Sequence, residues 1–126
     1  MRFLIAVLLL STPAVADEDV KALWKEKGCI KCHGEDGRGK TDAGKKAHAP
    51  DFTRARWQER HEDDELRKAI LNGVKEKGKV VMPAFKKKLT PEQVDQLIAH
   101  VRGFGPKAAP TEPAAEQPVD DGSATK

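Results

Sequence analysis

The sequence predicts an all-α domain whose apolar side chains are too few to fill its own interior. Three segments have the apolar spacing of amphipathic helices, and the stretches between them are rich in Gly, Lys and Asp. Only 38% of the 126 residues are apolar and 5% are aromatic. Because ordering the backbone costs roughly 1–2 kcal/mol per residue, we expect that much of the chain is disordered or that a non-protein group completes the core.

The sequence predicts two helices before residue 73. The first covers about residues 18–27 and ends at Gly28, and the second covers about residues 63–72, with Asp63 as its N-cap and Gly73 as the residue that ends it. Each has apolar residues at i, i+3 and i+4, which form one buried stripe. The two stripes consist of Val20, Leu23 and Trp24 and of Leu66, Ala69 and Ile70.

The third predicted helix is the most clearly marked. Thr90 and Gln93 have the spacing of a capping box, and Pro91 suits the first helical position. A full apolar stripe follows before Gly103 ends the helix, and it consists of Val94, Leu97, Ile98 and Val101. No strand pair is predicted, since the dipeptide Val80-Val81 alone is too short to form a sheet.

Both ends of the chain are predicted to lie outside the domain. Residues 1–16 have the basic start, short apolar run and small-residue cleavage site of a secretory signal peptide, with a buried N-terminal helix as the alternative. Residues 105–126 hold four of the eight prolines, which predicts a disordered Pro/Ala-rich tail. The domain is therefore expected to cover residues 17–104 and to be exported to a bacterial periplasm. It is not expected to span a membrane, which needs about 20 apolar residues.

The chemistry is predicted to lie where Cys29, Cys32 and His33 form a C-x-x-C-H motif, the spacing of covalent haem attachment. Each thiol can add to one haem vinyl group, and two intervening residues let both thiols reach neighbouring vinyls. His33 then lies beneath the iron as an axial ligand. Two alternatives remain for the cysteines: a disulfide in an oxidising compartment, and a zinc site with His48 as its fourth ligand.

Met82 is predicted to be the second axial ligand of the iron. Of the two methionines, Met1 leaves with the signal peptide, so Met82 is the thioether that remains. Pro83 restricts Met82 to extended backbone conformations. Two alternatives are a core-filling methionine and a two-histidine site in which His48 or His61 takes the place of Met82.

These motifs together resemble the small class I c-type cytochromes. The likeness rests on C-I-K-C-H-G-E-D-G-R-G, on A-P-D-F and on V-M-P-A-F before a C-terminal helix, and it covers about residues 18–104. It implies the all-α cytochrome c fold, with three or more helices wrapped around one covalently bound haem c. It also implies a soluble single-electron carrier with His/Met axial ligation, which shuttles electrons between larger redox proteins and is not an enzyme.

The resemblance further implies roles for four side chains and one carbonyl group. The Pro50 carbonyl would accept a hydrogen bond from the second ring nitrogen of His33. Trp57 would either donate to a haem propionate or serve as an ordinary core aromatic. Trp24 is expected to pack on the C-terminal helix, and His100 is expected to be a partly buried packing residue in a position where the family often has an aromatic ring.

Basic side chains flank the predicted Met82 ligand, with Lys75, Lys77 and Lys79 before it and Lys86–Lys88 after it. A basic ring would steer the protein to an acidic docking face on a redox partner, and the association would weaken with salt. A merely solvated surface is the alternative. Residues 17–104 hold 20 Lys and Arg against 16 Asp and Glu, so nucleic-acid binding is not predicted, and a monomer is expected.

Two other functions remain open alongside the carrier. One is a peroxidase-like haem enzyme or ligand binder in which Met82 is weak or displaced, with His48 or His61 as the acid–base residue. The other is an electron-transfer subunit of a fixed complex, with the tail as a tether. Simple electron transfer needs no catalytic residue, because the protein supplies only ligands, burial and a docking face.

Overall fold

The computed structural model describes residues 17–106. The predicted signal peptide lies outside the described residues, as does the predicted tail from residue 107 onward. Within the described range the chain forms mostly helices with one small antiparallel sheet, which confirms the predicted helical class. The elements are α1 (Asp17–Glu26), α2 (Cys29–His33), α3 (Asp42–Lys46), α4 (Ala55–Arg60), α5 (Asp63–Asn72), β1 (Val74–Glu76), β2 (Lys79–Met82) and α6 (Pro91–Gly103).

The three predicted helices correspond to α1, α5 and α6. The capping box of α6 is confirmed: the Thr90 hydroxyl accepts from the Gln93 N–H at 3.2 Å, and the Gln93 side chain accepts from the Thr90 N–H at 3.0 Å. The predicted N-cap of α5 is wrong, because Glu62 occupies the cap position and Asp63 is the first helical residue. The Asp63 carboxylate is instead engaged by Arg102 from α6, 2.8 Å away.

The expectation of no strand pair is also wrong. Strands β1 and β2 form an antiparallel hairpin in which Lys75 pairs with Val80 and Val74 pairs with Met82, with a bulge between the two pairs. Lys77 and Gly78 make the turn with φ of 49° and 78°, the positive values that a two-residue hairpin turn needs. The hairpin escapes sequence analysis because its strands are short and mostly exposed, so they show no apolar alternation.

The core lies where α1, α5 and α6 pack their apolar stripes together, and Leu97 at its centre is 2% exposed. Trp24 of α1 meets His100 edge to face at a ring distance of 5.0 Å and contacts Phe104 at 5.7 Å. The predicted packing of Trp24 on the last helix is therefore confirmed, as is the partly buried packing role of His100. No helix within residues 17–106 is long and apolar enough to cross a bilayer.

Arg102 ties α4 and the start of α5 to α6. Its guanidinium donates to the backbone carbonyl and the side-chain oxygen of Gln58, both at 2.9 Å, and also to the His61 carbonyl and the Asp63 carboxylate. The Gln58 amide in turn donates to the Phe52 carbonyl at 2.8 Å and to that of Val101 at 3.0 Å. This network holds α4 against the side of the domain where the cavities described below lie.

Candidate functional site

The C-x-x-C-H motif forms α2, a single five-residue helix between two glycines. Gly28 before it has φ 77°, and Gly34 after it has φ 76° and ψ 169°, conformations that favour glycine. The indole N–H of Trp24 donates to the Gly34 carbonyl at 3.0 Å. The aromatic core therefore holds the backbone directly after His33 in place.

Helix α3 packs against α2, and sequence analysis did not predict α3. The Thr41 hydroxyl donates to the Lys31 carbonyl at 2.6 Å and also caps α3 by accepting from the Gly44 N–H at 2.9 Å. A Cβ at Gly44 would lie 2.1 Å from the Cys32 carbonyl oxygen. Only glycine lets α3 approach the cysteine backbone this closely. Such a close approach between two short helices leaves no pattern in a single sequence.

His33 presents a partly buried imidazole, with its Nδ1 atom fully buried, to the interior. Its ring stacks on Phe52 at 4.9 Å. Burial lowers the pKa of His33 to about 4, so the imidazole is neutral near pH 7 and keeps a lone pair for a metal. The imidazole of His33 is thus prepared as a ligand.

The predicted hydrogen bond from His33 to the Pro50 carbonyl is not made. The Nδ1 atom of His33 is buried and has no hydrogen-bond partner among the described residues. The Pro50 carbonyl oxygen lies close to Gly39, 2.8 Å from the position that a Cβ there would take. The A-P-D-F motif therefore places Pro50 beside the site, where it lines both cavities described below, but without the predicted hydrogen bond.

Two apolar cavities share lining residues that include His33 and Met82. The outer cavity has a volume of about 350 Å³ and opens past the C-x-x-C-H motif and the hairpin, and the inner cavity has about 310 Å³ and reaches the core. Both volumes are in the range of small-molecule and cofactor sites, about 300–1,000 Å³. Six residues line both cavities: Cys29, His33, Pro50, Val74, Met82 and Phe85.

The other candidate ligands, His48 and His61, line the walls of the cavities, and each has one ring nitrogen in a hydrogen bond. His48 has positive φ, is 73% exposed at its side chain, and lies with Nδ1 2.9 Å from the Glu76 carboxylate at the outer cavity. His61 stacks on Trp57 at 4.5 Å, and its Nδ1 donates to the Trp57 carbonyl at 2.8 Å beside the inner cavity. Trp57 also packs on Phe52, so its role as a core aromatic is seen directly.

The residues present fit a haem. A planar apolar group would fill the two cavities, a partly buried imidazole and a thioether line both of them, and two free thiols lie at the edge. The alternatives fit less well. The two cysteines are not bonded to each other, and burial raises the pKa of the Cys29 thiol, whereas zinc binds thiolates. Within residues 17–106 no group of three or more His, Cys, Asp or Glu side chains could hold a metal ion.

Comparison with known proteins supports the same conclusion. The family model described as cytochrome c oxidase, cbb3-type, subunit III matches residues 15–101. The cbb3-type cytochrome c oxidase subunit FixP of Rhizobium etli is 36% identical over 100 residues, which cover 77% of this chain and 31% of that protein. The chain thus spans about a third of the length of this curated relative.

Solved structures give the same fold. The KustC0563 c-type cytochrome superimposes with a TM-score of 0.60 at 38% identity, covering 68% of this chain and 96% of that one. A single-substitution variant of that cytochrome gives a TM-score of 0.59 at 40% identity, covering 68% and 98%.

The fold and these matches define the chain as a class I c-type cytochrome, as the sequence predicted. More particularly, it belongs to the family of cytochrome c domains described as cbb3-type cytochrome c oxidase subunit III. A covalently bound haem c with its iron, and a role in haem-based electron transfer, follow from this membership.

Proposed function

We propose that the protein is a single-electron carrier in which Cys29 and Cys32 bond the haem and His33 and Met82 are its axial ligands. The observation that carries the proposal is that Cys29, His33 and Met82 line both cavities. When bound, the haem supplies an iron that alternates between ferric and ferrous states. All other roles in this proposal belong to side chains of the protein.

Those side chains bind the iron, set its potential and exclude water. The neutral imidazole of His33 is a ready ligand at neutral pH because burial lowers its pKa. The soft thioether of Met82 favours ferrous over ferric iron and raises the reduction potential relative to two imidazoles. Phe85 and Leu97 form part of the apolar walls. These walls further favour the iron state of lower charge.

We expect no catalysis from this site. A peroxidase-like enzyme needs an acid–base group on the side of the haem that small molecules reach. The two candidate groups each have one ring nitrogen engaged, His48 with Glu76 and His61 with the Trp57 carbonyl. These contacts favour the carrier over the haem enzyme.

A potentiometric titration of the haem-loaded protein tests the carrier proposal. We expect one reversible step that follows the Nernst equation for a single electron, with no turnover when hydrogen peroxide and a reducing dye are added. Sustained peroxide turnover would contradict the proposal and favour the enzyme. A titration that is not reversible would also contradict it, because a carrier must return to its starting state after each transfer.

We further propose that the hairpin and the segment after Phe85 form the docking face for an acidic redox partner. The flanking lysines are all exposed, and among residues 17–106 Val80 is the exposed large apolar side chain, at 62%. Exposed apolar area within a basic surface suits a partner with complementary negative charge. The proposal includes a monomeric protein that acts in the bacterial periplasm, and no nucleic-acid partner.

Charge reversal on the hairpin is expected to slow electron exchange with an acidic surface. The probe is a gold electrode coated with a carboxylate-terminated monolayer. Lys75→Glu/Lys79→Glu should reduce adsorption and the exchange rate at low salt, by roughly tenfold or more given the usual range of electrostatic steering. The control is Lys21→Glu/Lys25→Glu, which makes the same charge change on exposed positions of α1. Equal slowing in both variants would contradict a specific docking face.

A second candidate is an electron-transfer subunit of a fixed complex. The observation that favours it is the relative FixP, which is named as a subunit of a cbb3-type cytochrome c oxidase. Gel filtration of the protein from its source cells, followed by ion exchange at high salt, separates the two candidates. Elution as a small one-haem species supports the carrier, and constant stoichiometry with a larger haem complex through both columns supports the subunit.

A further inference from the structure

We propose that the C-terminal end of α5, and Gly73 in particular, is the device that positions the Met82 sulfur. Gly73 lies nine residues before Met82 and lines neither cavity, and from the sequence it was expected only to end the second helix. The inference rests on the proposed His33–Met82 ligation. Within that ligation, Gly73 is the residue that keeps the Met82 sulfur in position to bind the iron.

Gly73 adopts a backbone conformation that only glycine holds without strain. It follows the last turn of α5 with φ 71° and ψ −178°, and its N–H donates to the Ala69 carbonyl at 2.9 Å. This region of backbone space is essentially restricted to glycine. The conformation turns the chain from the end of α5 directly into β1, the strand that pairs with the Met82 strand.

Gly73 also lies in close contact with the Met82 segment. A Cβ at this position would be 2.5 Å from the Met82 carbonyl oxygen, 2.9 Å from the Ala84 nitrogen and 3.0 Å from the Pro83 carbonyl carbon. All three atoms belong to the backbone, so no side chain can rotate away to make room. A methyl group at residue 73 must therefore push the backbone around Met82 outward or force α5 to shift.

The Met82 segment has little room to absorb such a push elsewhere, since one end is held by β1, the strand that directly follows α5, and the other end by α5 itself. On one side Val74 pairs with Met82 across the hairpin. On the other side the N–H groups of Phe85 and Lys86 donate to the carbonyls of Ile70 and Leu71, at 2.9 and 3.1 Å. These carbonyls at the end of α5 have no partner inside the helix, and the Met82 segment supplies one. A displacement at Gly73 is thus transmitted to the thioether.

The chain offers a matched control for backbone strain. Gly78 in the hairpin turn has φ 78°, close to that of Gly73, but a Cβ there would meet nothing within 4 Å. Gly78→Ala therefore adds strain from positive φ without the steric contact. A readout that changes with Gly73→Ala and not with Gly78→Ala reports the contact with Met82 and not a general loss of stability.

The experiment compares wild type, Gly73→Ala and Gly78→Ala as haem-loaded proteins made in a host that attaches haem c. The weak far-red band of ferric haem bound to thioether sulfur is measured, together with carbon monoxide binding to the reduced protein. We expect Gly73→Ala to lose most of the band and to bind carbon monoxide, while Gly78→Ala keeps the band and binds none. A Gly73→Ala protein with the band of wild type would overturn the inference.

The experiment also distinguishes failure of the proposed Met82 ligation from failure of the positioning role of Gly73. If wild type itself lacks the far-red band, the proposed Met82 ligation fails, whereas a band present in wild type and unchanged in Gly73→Ala defeats only the positioning role. If Gly73→Ala does not give folded holoprotein, Lys86→Pro removes the N–H that donates to the Leu71 carbonyl. A weakened band in Lys86→Pro supports the positioning by α5, and an unchanged band there overturns it.

Discussion

The Met82→Ala variant is expected to lose the far-red absorption band, to bind carbon monoxide when reduced, and to have a lower reduction potential than wild type. Met82 lines both cavities together with His33, and under the proposed ligation its removal would leave the iron with one protein ligand and an open side. Loss of a soft donor removes the preference for ferrous iron. We expect a fall on the order of 0.1 V or more, within the about 0.8 V over which axial ligands set haem potentials.

Two further variants make the Met82 result specific. Met82→His should restore a low-spin spectrum without the far-red band and without carbon monoxide binding, at a potential below that of wild type. Val80→Ala changes an exposed neighbour on the same strand and should leave spectrum and potential unchanged. If Met82→Ala had the spectrum and the potential of wild type, Met82 would be excluded from the iron site.

The Arg102→Ala variant is expected to cause the largest loss of stability among single surface-accessible changes, about 2–4 kcal/mol in the free energy of unfolding. One guanidinium joins α6 to the backbone of Gln58 and His61 and to the Asp63 carboxylate. Hydrogen bonds to charged groups contribute roughly 1.5–3 kcal/mol each. The side chain of Arg102 is 30% exposed, so solvent screening and non-additivity reduce the total.

Arg67→Ala is the matched control for Arg102→Ala. Arg67 also reaches α6, where it pairs with Asp95 at 2.6 Å, but its side chain is 38% exposed and the contact is a simple surface ion pair. Such pairs contribute about 0–1 kcal/mol. Denaturant titrations of the three holoproteins measure both effects. A loss in Arg102→Ala no larger than in Arg67→Ala would show that the network around Gln58 does not hold α4 in place.

The helices could be predicted where local pattern and final packing agree. Helix α6 has both a capping box and a complete apolar stripe, and both appear in the structure as predicted. Helices α2, α3 and α4 span only five or six residues, which is too short for helical periodicity to show. The hairpin was missed because its turn is Lys77-Gly78 and its strands carry exposed lysines, so neither turn chemistry nor apolar alternation marked it.

In the site, too, the parts that depend on local motifs could be predicted, and the parts that depend on distant contacts could not. The C-x-x-C-H motif and Met82 could be predicted because their chemistry is specific to residue type, and the structure brings them to the same pair of cavities. That they bond and ligate the haem stays a prediction. The hydrogen bond from His33 to the Pro50 carbonyl was predicted wrongly, because it depends on how separate loops pack beside the motif.

The residues that support the site were not predicted in that role, and Gly73 was expected only to end the second helix. Gly44 and Gly73 matter through close approaches to backbone atoms of Cys32 and Met82, and Arg102 matters through contacts about 40 residues away along the chain. A single sequence contains no pattern for such contacts, because each depends on where separate elements meet. Positions of this kind are therefore those for which the structure adds most to the sequence.

The visible spectrum of the protein, made in a host that attaches haem c and recorded in both oxidation states, tests the central claim most directly. The proposal predicts a low-spin reduced spectrum with sharp bands and, in the ferric state, the weak far-red band of thioether ligation. A low-spin spectrum without that band would indicate two histidine ligands, with His48 or His61 in place of Met82. A high-spin spectrum would mean an open iron, would contradict the His33–Met82 carrier, and would favour a ligand-binding haem enzyme.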